Sequence, residues 1–215
     1  MQWPTLAEIS AMSPLPEGYH FELLRRADIG ALIESIRLWF PGVSVGAASC
    51  YLTEAFYLDK VVMEGDLDKD VIVLLIKQGA ELVGMGSWER ESAALTLYAR
   101  LGMIAPAHRG ARMAVGAMEL GERMGRAMGA GFVYTLATMK MPQMQLALER
   151  AGYQLIGFMP GYDREEVAPG VVKRVYEAGY AKRLAPAEDF LRPDDRNMTP
   201  RTKRLFDLIF PPEAG

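Results

Sequence analysis

The sequence predicts a single α/β domain built on a mixed sheet, and three observations support this. The chain has 215 residues, 50% of them hydrophobic and 24% charged, which is enough to bury one sizeable core. Segments with apolar residues at helical spacing alternate with short apolar segments typical of strands. Between residues 95 and 131, a strand, a turn of small residues and a helix follow one another directly.

The elements are predicted in the order β-α-α-β-β-β-α-β-α-β-β. Residues 1–17 contain several prolines and predict an N-terminal arm, in which Trp3, Leu6 and Ile9 are available to dock. Strands are predicted at 19–25, 71–77, 82–89, 95–105, 132–138, 153–158 and 171–180. Helices are predicted at 28–39 (with Asp28 as its cap), 47–63, 113–129 and 143–150. Residues 159–170 are predicted to form a loop between the last two strands.

The turn before the third helix is the most informative segment for function. It reads Arg109-Gly110-Ala111-Arg112-Met113-Ala114 and follows Pro106. A small-residue turn that enters a helix directs several free backbone N–H groups at one point, where the helix dipole is also positive, so it suits a phosphate group. Many α/β proteins with such a unit bind no nucleotide, so the turn alone leaves this open.

Residues 104–114 resemble the acyl-CoA signature of the GCN5-related N-acetyltransferases, Arg/Gln-x-x-Gly-x-Gly/Ala. Arg109 opens the motif and Ala114 closes it, whereas Arg112 stands in place of the middle glycine. The segment Leu148-Glu149-Arg150-Ala151-Gly152-Tyr153 is similar to a second segment of that family, which follows the fifth strand. The resemblance covers residues 18–185 and implies a mostly antiparallel sheet with splayed fourth and fifth strands and helices on both faces.

The resemblance also implies a binding site for acetyl-CoA or another acyl-CoA as co-substrate, with no metal. Met103 and Ile104 would offer main-chain partners to pantetheine. The turn residues would hold the diphosphate; they are Arg109, Gly110, Ala111, Arg112, Met113 and Ala114. Arg112 is either an additional contact to a CoA phosphate or a solvated side chain in line with Glu119. Several of the 14 methionines fall near this site, either as core residues or as the wall of a pocket for longer acyl groups.

The resemblance leaves the chemistry of transfer open. Leu148 occupies the position of the family's tyrosine acid, Met141 that of a common asparagine, and Tyr98 that of a carboxylate base. Three explanations remain. Tyr98 orders a water that relays the proton, and solvent protonates the thiolate; Tyr162 or Asp163 moves in; or the chain binds acyl-CoA without efficient transfer. We take Tyr98 as the candidate catalytic residue.

The predicted activity is transfer of an acyl group to an amine of a small molecule or a protein; the alternative is a non-catalytic acyl-CoA-binding or interaction module. In that family the acceptor site is lined by segments that correspond here to residues 40–58 and 159–170. The polar and aromatic residues in these segments are Tyr51, Glu54, Tyr57, Tyr162, Asp163, Glu165 and Glu166. Their acids either attract a cationic amine or simply face solvent.

Composition argues against several other classes of protein. The net charge of −3 gives no basic field for nucleic acid or an anionic membrane. One cysteine and two histidines argue against a metal cluster and against a Ser-His-Asp relay. The sequence shows neither a secretion signal nor an apolar stretch of membrane-spanning length, so we expect a cytoplasmic protein.

The composition changes after residue 185. Residues 186–198 are rich in Pro, Asp and Arg and predict a linker, and Thr199-Pro200 caps a helix that runs to Phe210. Leu205, Leu208 and Phe210 make this helix too apolar to remain solvated. We therefore predict that residues 186–215 dock, either on their own domain or on a second subunit of a homodimer.

Overall fold

Seven strands form one mixed sheet in the order β1-β2-β3-β4-β5-β7-β6. The computed structural model describes residues 1–109 and 113–211. All neighbouring strands pair antiparallel except β4 and β5, which are parallel. The strands are β1 (Tyr19–Leu23), β2 (Val71–Gln78), β3 (Glu81–Glu91), β4 (Thr96–Ile104), β5 (Phe132–Thr138), β6 (Gln154–Ala168) and β7 (Val171–Arg183).

Helices cover both faces of the sheet. They are α1 (Leu6–Met12), α2 (Ile29–Trp39), α3 (Glu54–Lys60), α4 (Met113–Ala127) and α5 (Gln143–Arg150). Strand β2 shows why, because successive side chains point to opposite faces. Ile72 and Leu74 pack into a core cluster with residues of α1, α4 and α5, whereas Val73 and Leu75 pack with residues of α2 and α3. A strand buried on both faces reads as the continuous apolar run seen in the sequence.

The helix predicted over residues 47–63 is wrong as a single element. Ala47–Leu52 forms a 3₁₀ helix, Thr53 is extended, and α3 follows. The two parts are joined by a hydrogen bond of 2.7 Å from the Tyr57 hydroxyl to the Tyr51 carbonyl. The chain leaves the helix at Val61, which forms a parallel bridge with Val71 at the start of β2. Apolar spacing alone does not distinguish these conformations.

The loop predicted over residues 159–170 is also wrong, because β6 continues to Ala168 and forms a long hairpin with β7. Pro160 and Gly161 are typical of loops, but here the pairing shifts register between Pro160 and Asp163. A β-bulge on an edge strand accommodates proline and glycine without ending the strand. The hairpin therefore extends well beyond the core of the sheet.

Asp28 occupies the predicted position before the helix, but its side chain does not cap the helix. It makes no capping hydrogen bond with the backbone of α2. Its carboxylate instead accepts a 3.0 Å hydrogen bond from Arg25 Nε and lies 3.9 Å from Lys77 Nζ. The side chain therefore serves an ion-pair cluster rather than the helix.

Residues near both ends of the chain form helices. Near the N-terminus, Trp3 is 4% exposed and its indole N–H donates to the Lys69 carbonyl at 2.8 Å, while Ile9 of α1 is fully buried.

A separate compact unit begins at Ala185 and contains α6 (Pro200–Ile209), whose Thr199 cap accepts a hydrogen bond from the Thr202 N–H at 3.2 Å. Within this unit the Arg192 guanidinium lies 4.9 Å from the Phe206 ring centroid.

Candidate acyl-transfer site

The parallel strands β4 and β5 separate part-way along their length. They pair from Thr96 to Ala99 on β4 and from Phe132 to Thr135 on β5, and both strands continue beyond that point. The Thr135 hydroxyl donates a 3.0 Å hydrogen bond to the Ala99 carbonyl, which closes the vertex of the opening. Beyond the vertex, backbone groups that would have paired β4 with β5 are left for another partner.

The cofactor-binding residues predicted on β4 lie along one arm of this opening. Met103 is 2% exposed and packs into the core cluster with α2 and α3, opposite Met85 of β3. The Ile104 carbonyl accepts a 3.1 Å hydrogen bond from Arg109 Nε. The same guanidinium donates to the Trp39 carbonyl at 3.4 Å and lies 5.3 Å from the Phe40 ring centroid. Arg109 therefore links the end of β4 to the end of α2.

The remaining predicted turn residues lie at the start of α4. Gly110, Ala111 and Arg112 lie outside the described residues. Met113 begins α4 and is 5% exposed, and Ala114 belongs to the first turn of that helix. Of the six motif residues, Arg109 thus follows β4, and Met113 and Ala114 lie in the first turn of α4, whose backbone N–H groups have no partner within the helix.

A partly buried polar network lies near the vertex, around Arg100. The Arg100 side chain donates to the Tyr51 hydroxyl at 3.2 Å and pairs with Glu89. The Tyr51 hydroxyl also lies 2.6 Å from Ser87 Oγ. Burial alone would lower the pKa of Arg100, but Tyr51 and Glu89 raise it above its ordinary value. Burial raises the pKa of Tyr51 to about 12, so its phenol remains neutral at physiological pH.

Tyr98 lies at the edge of a cavity on the same face of the sheet. The cavity measures about 190 Å³ and is walled by Tyr98, Tyr134 and Tyr162 together with Met159. Gly179 of β7 lies in the cavity lining, and its register partner on β6 is also a glycine, Gly157. Two paired glycines leave the centre of this face without side chains. Burial is the main cause that raises the pKa of Tyr98, so this phenol is neutral as well.

Glu177 lies next to this cavity, and the sequence reasoning missed it. It is on β7, opposite Thr138 of β5 and Met159 of β6, and is only 7% exposed. Across residues 1–109 and 113–211 its carboxyl group makes no hydrogen bond or ion pair. Burial raises the pKa of Glu177 to about 7, with Glu165 adding to the rise. A sequence signal existed, because Glu177 shares a face of its strand with Val175 and Gly179.

Leu148, which stands where the resembled family carries a tyrosine acid, is a core residue. Leu148 is fully buried within the core cluster that contains residues of α4 and α5. Two other hydroxyl groups nearby are already engaged. The Tyr153 hydroxyl donates to the Met118 carbonyl at 3.1 Å, and the Tyr180 hydroxyl donates to Glu149 at 3.0 Å.

The two segments predicted to line the acceptor site contact each other. Asp163 accepts a 2.7 Å hydrogen bond from the Ala47 N–H, and the Ser44 hydroxyl donates to Glu166 at 2.8 Å. Gly46 has a φ of +86°, and a Cβ there would lie 2.1 Å from Asp163 Oδ1. This close approach requires glycine. The β6–β7 hairpin and residues 41–52 thus pack against each other.

Solved structures share this fold, although no protein-family model and no curated protein matches the sequence. The spermidine N-acetyltransferase from Vibrio cholerae, solved with CoA and spermine, has a TM-score of 0.61 at 12% identity, covering 78% of this chain and 96% of that one. RimL, a ribosomal L7/L12 alpha-N-protein acetyltransferase solved with coenzyme A, has a TM-score of 0.59 at 11% identity, covering 80% and 97%. This chain has the fold of the GCN5-related N-acetyltransferases.

The acetyltransferase fold confirms the fold class predicted from the sequence, including the parting of the fourth and fifth strands. RimJ from Mycobacterium smegmatis, solved with a CoA-disulfide, shares it with a TM-score of 0.58 at 12% identity, covering 81% of this chain and 84% of that one. Within the described residues, no group of three or more His, Cys, Asp or Glu side chains is placed to hold a metal ion. No helix in the described part of the chain is long and apolar enough to cross a membrane.

Proposed function

We propose that this chain is an acyl-CoA-dependent N-acyltransferase that transfers an acyl group, acetyl in the first instance, to an amine of a small molecule or protein. The observation that carries the proposal is the parting of β4 and β5 after Ala99 and Thr135, beside the start of α4. An extended pantetheine arm can pair with the strand edge exposed there, while the N–H groups at the start of α4 take the diphosphate.

Arg109 has a specific part in this proposal. In the structure it occupies the Ile104 carbonyl, which is one of the main-chain partners proposed for pantetheine. When acyl-CoA binds, the guanidinium exchanges this carbonyl for the diphosphate, with which it forms a stronger, charge-assisted hydrogen bond. The other groups proposed to contact the cofactor are Met103, Gly110, Ala111, Arg112, Met113 and Ala114.

The proposed chemistry is direct attack of a neutral amine on the thioester. Backbone N–H groups at the opening polarise the carbonyl. Tyr98, as a neutral phenol, orders a water or the acceptor next to it. Leu148 cannot protonate the departing thiolate, so solvent supplies that proton.

The second candidate function is a non-catalytic acyl-CoA-binding module, and one observation favours it. The position that carries a tyrosine acid in the resembled family is a fully buried leucine, Leu148. A binding module would keep the opening between β4 and β5 and would not need a proton donor there.

Calorimetric titration with acetyl-CoA tests the binding site. We expect Gly110→Leu to weaken binding by at least about tenfold, since a bulky side chain blocks the approach of the diphosphate to the backbone. Gly30→Leu is the matched control, because Gly30 is exposed and a Cβ there meets nothing within 4 Å. Equal affinities in the two variants would show that the diphosphate binds elsewhere.

A CoA-release assay with a panel of amines separates the two functions. The panel contains alkylamines, diamines, and peptides with a free N-terminus or a lysine. An acyltransferase releases CoA with at least one amine faster than without it. A binding module binds acetyl-CoA in the titration but releases CoA at the same rate with and without every amine.

A further inference from the structure

Glu177, which is 7% exposed, lies close to the cavity beside Tyr98. Met159, which is directly opposite Glu177 in the β6–β7 pairing, lines the cavity. Gly179, which also lines it, is two residues from Glu177 along β7, roughly 7 Å in an extended strand. Residues at this spacing share a face of the sheet. Glu177 therefore lies on the same face of the sheet as the cavity, two residues along β7 from the lining residue Gly179.

The walls of the cavity suit a cation. Four of its lining residues are tyrosines, namely Tyr98, Tyr134, Tyr162 and Tyr180, and the hydroxyl of Tyr180 is already engaged with Glu149. Aromatic faces attract ammonium groups, most strongly where water is excluded. A carboxylate close to the cavity adds a full opposite charge. An apolar or anionic group would leave that carboxylate without a partner.

Nearby carboxylates are already engaged, which leaves Glu177 for a ligand. Asp163 accepts hydrogen bonds from the N–H groups of Ala47 and Arg164, both at 2.7 Å. Glu165 pairs with Lys140. Glu177 alone of these three carboxylates makes no hydrogen bond or ion pair within the described residues.

We propose that the cavity holds the amine-bearing end of the acceptor as an aliphatic ammonium ion and that Glu177 accepts its proton. This inference rests on the proposed acyltransferase function and specifies its substrate class and its base. Glu177 is thereby a catalytic residue, because it contacts the reacting nitrogen. Tyr98, Tyr134 and Tyr162 bind the cation.

The reaction balances with these groups. A proton passes from the ammonium to the Glu177 carboxylate, which leaves a neutral amine. Its lone pair attacks the thioester carbonyl; the C–N bond forms and an electron pair moves to oxygen. The C–S bond then breaks, the thiolate leaves with its electron pair, and the second proton lost by nitrogen reaches the thiolate through solvent. Glu177 finally releases its proton to solvent.

The titration of Glu177 agrees with this role. A pKa of about 7 makes the carboxyl group a stronger proton acceptor than an ordinary glutamate near neutral pH. The charged groups that act on it are Glu165 and Asp163, which raise its pKa together with burial, and Lys140, which lowers it. A bound ammonium ion acts in the same direction as Lys140 and favours the carboxylate.

Binding of butylammonium tests the proposal without any turnover. Ligand-detected NMR would measure its affinity for the wild-type protein, for Glu177→Gln, and for Glu119→Gln, a control with the same charge change at a side chain of α4 that is 45% exposed. We expect Glu177→Gln to weaken binding by at least about tenfold, Glu119→Gln to leave it unchanged, and neutral butanol to bind far more weakly than butylammonium. Absent butylammonium binding, equal affinity in Glu177→Gln, or equal binding of butanol would overturn the proposal.

Gly179→Ala provides a second variant, which narrows the cavity without removing a charge. A Cβ at Gly179 has its nearest contact at 3.6 Å, so the strand accepts it. We expect an unchanged melting temperature and at least about tenfold weaker butylammonium binding, because the added methyl group occupies part of the cation's place. Undiminished binding in the folded variant would show that the cation binds outside the cavity.

Kinetics then separates this inference from the proposed function. With an amine found active in the CoA-release assay, Glu177→Gln should lower kcat/KM about 100-fold near pH 7 and remove an ionisation near pH 7 from its pH profile. Affinity for acetyl-CoA should not change. If the wild-type protein does not bind acetyl-CoA, the proposed function is refuted. An unchanged pH profile in Glu177→Gln would refute only the role of Glu177.

Discussion

Replacing Glu177 with glutamine should change how the stability of the protein depends on pH. The native pKa of about 7 lies above the ordinary value of 4.5. Between these pH values the folded protein binds a proton that the unfolded chain has released. The stability of the wild-type protein is therefore complete below pH 4.5 and falls as pH rises to about 7, by about 3 kcal/mol at ~1.4 kcal/mol per pH unit. A glutamine side chain does not titrate, so this loss is absent from the variant.

Urea unfolding followed by tryptophan fluorescence measures this difference, because Trp88 is buried in the core. Wild type and Glu177→Gln are compared from pH 4.5 to pH 8, with the slope against urea held common. We expect the variant to gain stability over the wild type as pH rises, approaching about 3 kcal/mol above pH 7. Curves that stay parallel across this range would show that Glu177 has an ordinary pKa, and the account of its burial would fail.

Three further predictions follow from other sites. Leu148→Ala should lower the free energy of unfolding by about 2–5 kcal/mol while the pH–rate profile keeps its shape; a lost ionisation would show that the segment is misaligned. Gly46→Ala should raise KM for the amine without changing acetyl-CoA affinity, because its Cβ collides with Asp163, whereas Gly65→Ala, also at positive φ but in open space, should not. Deleting residues 186–215 should lower the melting temperature or dissociate an oligomer while acetyl-CoA still binds. An unchanged melting temperature together with an unchanged oligomeric state would identify a free tail.

The sequence predicted the order of the elements because each depends on local signals. The continuous apolar run of β2 indicates burial on both faces, and the apolar stripe of α4 indicates burial on one face, where Met113, Leu120 and Met124 are buried. Gly129, with a φ of +75°, ends α4 at the predicted place. The resemblance of residues 104–114 then identified the fold, which spacing alone could not have done.

The errors occur where tertiary contacts override local signals. The 3₁₀ helix at residues 47–52 is held by contacts to Asp163, which lies more than a hundred residues away. Pro160 and Gly161 lie within a strand because β7 pairs on either side of them. Glu177 escaped prediction for the same reason. Its alternation with Val175 and Gly179 indicates its face of the strand, but its burial depends on the pairing of β7 with both β5 and β6, which that pattern does not specify.

Leu148 and Glu177 are related through the reaction that we propose. Leu148, on α5, takes the position where the resembled family carries a proton donor for the thiolate. Glu177 places a proton acceptor on the side where the amine would enter. Attack requires a neutral amine, whereas a thiolate is a stable leaving group that solvent can protonate. An alkylamine in water near pH 7 remains protonated, so the site must supply a base for the amine. It needs no dedicated acid for the thiolate, because solvent can protonate that group.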